Sequence, residues 1–331
     1  VPATAPNLSA TGLYAADGAS LSDGVLRYTP QYPLWSDGLN KARFVRIPAG
    51  TRIDTRVMDR WVFPTGTQLW KEFSIARSDG TPTKVETRYM EKLPDGRWAY
   101  ATYLWNADAT DAVRAPDQGR RNHADLGGGV RHDIPSFGNC TFCHMNGDDP
   151  VLGFSALQLS EVRDPLAPHA EEPVTGAVTL GELNARGYFT EPVPTRTVIA
   201  ARSDLERAAL GYLHGNCASC HNERGRANEY SVFFPVELAR NSSDAHAALA
   251  SVNKPTQAHN FEPPPGGAAG RDGSGSAEPP RAIAPGDPDA SVLVMRMKLV
   301  GHRARMPKVG SKVVDEVGVR LVTDWIASLS P

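Results

Sequence analysis

A chain of 331 residues, 40% of them hydrophobic, has length for about two domains and material for a sizeable core. Thirty-five Lys and Arg against 37 Asp and Glu give a formal charge of −2 with no long block of either sign, which excludes the electrostatic footprint of a nucleic-acid binder. No apolar run reaches the roughly 18 residues of a membrane span, and the start at Val1-Pro2-Ala3, lacking a charged n-region and an apolar h-region, implies that any export signal has been removed.

In chain order, residues 1–30 show little periodicity and read as an extended or turn-rich leader. Runs rich in aromatic and β-branched residues then predict strands over Ala42–Ile47, Leu69–Ile75, Lys84–Leu93 and Arg97–Trp105, with Asp79-Gly80 and Asp95-Gly96 as hairpin turns. Trp35, Trp61, Trp70, Trp98 and Trp105 lie in or beside these runs, and most of them are expected in the core of an antiparallel β-domain. From Ala107 to His132 the pattern breaks, and a connecting loop is expected, whose Arg114, Arg120, Arg121 and Arg131 are candidates to face an anionic group.

The second half carries helix signals. Ser203 and Glu206 read as a capping box that opens a helix through Leu210 and Leu213. Fourteen of the 34 residues from Pro255 to Pro288 are Pro or Gly, which predicts a surface loop. Asp287-Pro288 reads as the N-cap and N1 of a short helix through Ser291–Leu299, and Asp315–Leu329 spaces Val317, Leu321 and Trp325 as an amphipathic terminal helix.

All four cysteines fall in two C-x-x-C-H pentads, Cys140 to His144 and Cys217 to His221. The spacing fits covalent attachment of haem c, one thiol for each vinyl group, with the adjacent imidazole on the iron. A zinc site made of both pairs would have to bridge 74 residues, from Cys143 to Cys217, against roughly 15–20 in common patterns. A thioredoxin-like pair would need a βαβ setting that is not apparent. The chemistry therefore assigns two covalently bound haems, with Cys140, Cys143, Cys217 and Cys220 as attachment points and His144 and His221 as iron ligands. Such attachment occurs outside the bacterial cytoplasm, so a periplasmic or exported protein is expected, membrane-anchored before processing if at all.

For the second iron, Met306, in the loop before the terminal helix, is the candidate sixth ligand; Met295 and Met297 read as core. The first iron has no methionine between Met145 and Met295, which leaves His123, His132, His169, Met58, Met90 or an open position. His214 reads as a packing or hydrogen-bonding residue. A helix leading into C-x-x-C-H, a long loop, a Met and a final helix follow the order of a class I cytochrome c domain.

Several stretches carry a resemblance: Tyr32-Pro33-Leu34-Trp35-Ser36-Asp37-Gly38, Ile47-Pro48-Ala49-Gly50-Thr51, Leu69-Trp70-Lys71-Glu72-Phe73, Val85-Glu86-Thr87-Arg88, Tyr103-Leu104-Trp105-Asn106, Ile134-Pro135-Ser136, Pro285-Gly286-Asp287-Pro288 and Met306-Pro307. Over about 300 residues the chain resembles a bacterial family of exported dihaem c-type cytochromes. The resemblance implies a β-rich N-terminal region, two c-type haems and a terminal cytochrome c module; it supports Met306 and supplies no reaction. The expected fold is thus α+β and multidomain, with an antiparallel β-domain over 1–130, a first haem-binding segment over 131–175, and an all-α class I cytochrome c-like domain over 176–331 that contains the 255–288 loop. The expected function is electron transfer between periplasmic redox proteins, with no catalytic residue assigned. The alternative is a dihaem peroxidase or oxidase with an open site at the first haem.

Overall fold

The computed structural model describes residues 4–77, 80–144, 149–171, 173, 175–256 and 280–330. Asp79, Met145 and most of the expected 255–288 loop lie outside them. Six strands form one antiparallel sheet in sequence order: β1 (Val25–Tyr28), β2 (Asn40–Arg46), β3 (Gln68–Ala76), β4 (Pro82–Lys92), β5 (Trp98–Trp105) and β6 (Ala112–Arg114). The four strands expected from the sequence are β2 to β5, each within two residues at either end. Gly96, at φ +81°, supplies the left-handed backbone that the β4–β5 turn requires.

Alternation along the strands gives the sheet two buried faces. Phe44, Trp70, Tyr89 and Tyr103 point to one side, where Leu8 and Leu13 cover them. Val45, Leu69, Met90 and Tyr100 point to the other and pack with Phe154, Leu159, Leu180 and Phe189. Trp61, Trp70 and Trp98 are core residues, as expected. Each such ring takes about 150–250 Å² out of water, worth roughly 4–6 kcal/mol at about 25 cal/mol per Å² before ordering costs.

Segments that read as irregular contribute pairing. The N-terminal stretch bridges Asn7 to Val113, and Arg114 N donates to Pro6 O at 2.8 Å, so it lies along β6. At the opposite edge Val178 N donates to Arg27 O on β1 at 2.7 Å. The expected 107–132 loop contains β6 and most of a second hairpin, β7 (Arg120–Gly127) with β8 (Val130–Ile134), turned by Gly128 and Gly129. That hairpin is polar and largely exposed, which is why no hydrophobic period announces it.

The C-terminal half corrects the expected fold. It is not an all-α class I cytochrome c-like domain: the described residues hold five short helices in all, and the dominant element is the six-stranded antiparallel sheet. The helices are α1 (Phe137–His144), α2 (Leu180–Ala185), α3 (Asp204–Asn216), α4 (Val292–Met297) and α5 (Glu316–Ser328). Between α3 and α4 the described chain forms 3-10 turns, isolated bridges and irregular segments but no α-helix. The core around α3 and α5 is completed by Tyr32 and Leu157 from far upstream.

Local helix chemistry is closer to expectation. At α3 the Ser203 side chain accepts from Glu206 N, but Glu206 returns to Arg202 N rather than to Ser203 N, so half of the capping box is present. Asp315 caps α5 by accepting from Gly318 N. The buried stripe of α5 is Val319, Val322, Trp325 and Ile326; Val317 is exposed. Ser291, not Asp287, is the N-cap residue of α4, and Asp287 instead holds a turn by accepting from Ala290 N.

Candidate functional site

One cavity of about 470 Å³ opens between the sheet and the helical half, within the range of about 300–1,000 Å³ common for small-molecule sites. Cys140, Cys143, His144, Cys217, Cys220, His221 and Met306 all line it. Seven residues chosen from sequence, spread over 166 positions, thus share one enclosure.

The first pentad sits on α1. Ser136 opens that helix, its Oγ accepting from Asn139 N at 3.2 Å. The helix end is tied to the sheet by Tyr100 Oη, which donates to His144 O at 2.9 Å. Just beyond, the buried Asp149 carboxylate accepts from Trp98 Nε1 at 2.8 Å, Phe63 N at 2.6 Å and Lys92 Nζ at 2.8 Å. This clamp fixes the segment that returns a carbonyl to the histidine: His144 Nδ1 lies 2.8 Å from Pro150 O.

The second pentad begins where α3 ends, with Cys217 as the C-cap residue. Trp35 N donates to Asn216 Oδ1 at 2.7 Å, Trp35 Nε1 donates to Val313 O at 3.0 Å, and Asp37 Oδ1 accepts from Val313 N at 2.9 Å. The Tyr32–Gly38 stretch therefore staples the end of α3 to the segment before α5. Across the cavity, His221 Nδ1 lies 3.0 Å from Val232 O.

The two histidines share one arrangement. A backbone carbonyl only accepts, so Nδ1 carries the proton in both rings and Nε2 keeps its lone pair. Burial pushes His144 down to about 4 and lowers His221 as well, which keeps both imidazoles neutral, the form that ligates metals. His214 is the opposite case: its Nδ1 accepts from Val236 N at 3.0 Å, a structural role as expected.

The pentads touch. Cys220 Sγ lies 3.4 Å from Phe142 O and in hydrogen-bond reach of Cys143, yet no cysteine is paired in a disulfide. Among the described residues no three His, Cys, Asp or Glu side chains converge as a metal cluster, so the four thiols do not surround one point as a zinc site requires.

Of the five residues considered for the first iron, only Met90 lines the cavity. His132 is held by Glu86 at 2.9 Å and His169 by Asp315 at 2.7 Å, Met58 packs against the core, and His123 sits on the exposed hairpin. Met297 belongs to the core and reaches the cavity wall too. None of Arg114, Arg120, Arg121 and Arg131 lines it; Arg43, Lys71 and Arg88 do. Sequence reasoning missed these three, although a signal existed: in β2, Arg43 shares parity with Val45, and in β3, Lys71 shares parity with Leu69 and Phe73, which places charge on an apolar face.

No family model, no curated protein and no solved structure matches this chain. Its function is therefore argued from the cavity itself. Among the described residues no helix is long and apolar enough to cross a membrane.

Proposed function

We propose that this chain is a dihaem c-type cytochrome that carries electrons between redox proteins of the bacterial periplasm. One observation carries the reading: both C-x-x-C-H pentads face a single apolar cavity with their histidines held alike, Nδ1 on a backbone carbonyl and Nε2 free to ligate. The likeness to exported dihaem cytochromes supports the same reading, as does covalent haem attachment, which belongs outside the cytoplasm.

The residues fit the group. Cys140 with Cys143, and Cys217 with Cys220, would hold one haem each, with His144 and His221 on the irons. When bound, the haems supply one-electron redox chemistry. Met306, in the cavity wall, offers the second iron a soft thioether, which favours the ferrous state and raises the potential. Met90, largely buried in the same wall, offers a thioether to the first.

A dihaem enzyme with an open position at the first iron is the second reading. It is favoured by the failure of His123, His132 and His169 to reach the cavity. Intact mass under denaturing conditions, after acid-acetone extraction, tests the shared premise. The polypeptide plus two haems is expected; a single haem, or zinc in its place, refutes it.

A further inference from the structure

Three cations lie side by side across the sheet. The register pairs Arg43 on β2 with Lys71 on β3, and Lys71 with Arg88 on β4, so all three point from neighbouring strands into the cavity wall. Like charges directly opposite on adjacent strands destabilise a sheet, and burial in a low dielectric multiplies the cost.

The neighbouring acids answer only part of this charge. Glu86, wholly buried, pairs with Arg88 at 2.6 Å and is shared with His132. Glu171, half exposed, stands 3.8 Å from Arg43. Among the described residues Lys71 Nζ makes no hydrogen bond or ion pair, and its ammonium lies over the Phe73 ring at 5.1 Å. Arg43 is 4% exposed and its Nη2 has no hydrogen-bond partner among the described residues. Lys41, on the same face of β2, spends its amine on Leu34 O at 2.6 Å. Burial first, and then its cationic neighbours, push Lys71 well below the usual lysine range.

We infer that the Arg43–Lys71–Arg88 row is a built anion seat that takes carboxylate groups at the first pentad. A planar guanidinium with an unused Nη2 and an ammonium beside it match a carboxylate's two oxygens. The nearest source, resting on the dihaem reading, is the propionate pair of the haem on Cys140 and Cys143; a diffusible carboxylate is the other. The row stands beside that pentad rather than the second, since Arg88 and Lys71 bear electrostatically on Cys143 and His144. Around His221 the charge felt is that of Arg296 instead.

Lys71→Met and Arg43→Gln in the holoprotein test the inference; Arg88 is left intact, since its loss would strand Glu86. Intact mass first reports whether both haems are attached, so failure of the cytochrome reading shows in the wild type itself. Thermal unfolding then gives a sign. With an anion in the seat, Lys71→Met lowers the midpoint; with none, removing a like charge from the row raises it.

Redox titration and added acetate separate the sources. With propionate in the seat, either substitution lowers the potential of one haem by a tenfold change in its oxidised-to-reduced ratio, about 59 mV for one electron, and shifts the propionate bending band in the resonance Raman spectrum. With a diffusible carboxylate, millimolar acetate stabilises the wild type and leaves Lys71→Met unaffected. A raised midpoint in Lys71→Met, with unchanged potentials and no response to acetate, overturns the assignment.

Discussion

Gly211→Ala pits two physical effects of opposite sign against each other at the helix that delivers the second pentad. Gly211 lies in the interior of α3, where alanine is favoured over glycine by about 1 kcal/mol. A Cβ at this position, however, would stand 2.1 Å from Tyr32 Cε1, 2.3 Å from Cζ and 2.5 Å from Cδ1. The ring would have to withdraw by more than about 1 Å to restore ordinary contact, and its tethers oppose that movement. Tyr32 is 3% exposed, its hydroxyl donates to Asp164 Oδ2 at 3.0 Å, and Gln158 holds its backbone at both N and O. Overpacking costs about 1–3 kcal/mol and loss of the bond to a buried carboxylate about 1.5–3 kcal/mol. Set against the helix gain, a net destabilisation of roughly 1.5–5 kcal/mol is expected. Urea unfolding followed by far-ultraviolet circular dichroism should show a lower midpoint at unchanged slope. In the double variant with Tyr32→Leu the penalty of the alanine should shrink, since the two residues are in contact. A Gly211→Ala protein as stable as the wild type, or more so, would refute the close-packing argument.

Met306→Ala should weaken the near-infrared band of sulfur-to-ferric-haem ligation, leaving the contribution of the Met90 haem, and lower the potential of one haem; an unchanged band and unchanged potentials would show that Met306 is not a ligand. Carbon monoxide should leave both reduced haems of the wild type unaltered and bind one haem of Met90→Ala, whereas rapid binding by the wild type favours an open, enzyme-like position. Burial opposes the charge of Asp315, but hydrogen bonds from His169, Gly318 N and Tyr212 outweigh it and hold the carboxyl below its usual value. A depressed carboxyl stabilises the fold above its unfolded pKa of about 3.9 and loses that contribution as pH falls through the folded value. Asp315→Asn should therefore be less stable than the wild type near pH 7, with the gap narrowing as pH falls below about 4; a gap that stays constant from pH 7 down to pH 2 refutes the linkage.

What the sequence made legible is what depends on neighbours along the chain. The pentads, the strands from β2 to β5 and helix α5 all follow from short-range pattern. Tertiary selection decided the rest. The order of helix, pentad, loop, methionine and helix is present in the chain, yet order says nothing about whether the intervening segments are helical, and here they are not. That both pentads open on one cavity depends on Tyr32–Gly38 crossing to α3, a contact over 181 positions between Trp35 and Asn216 that no local period encodes. The cation row was hidden because Arg43, Lys71 and Arg88 become neighbours only through strand register.

The two edges of the six-stranded sheet have a bearing on how other proteins can meet this one. An uncovered strand offers a ladder of unpaired amides and carbonyls to any extended segment that drifts past, and aggregation begins there as readily as recognition. Here β6 is only three residues long and is flanked by the chain around Pro6 and Asn7, while Ala177 and Val178 run beside β1. Strand addition to this sheet is thereby opposed at both margins. Removing the residues up to Asn7 would lift that guard from β6 and turn a monomer-compatible margin into a template for self-association.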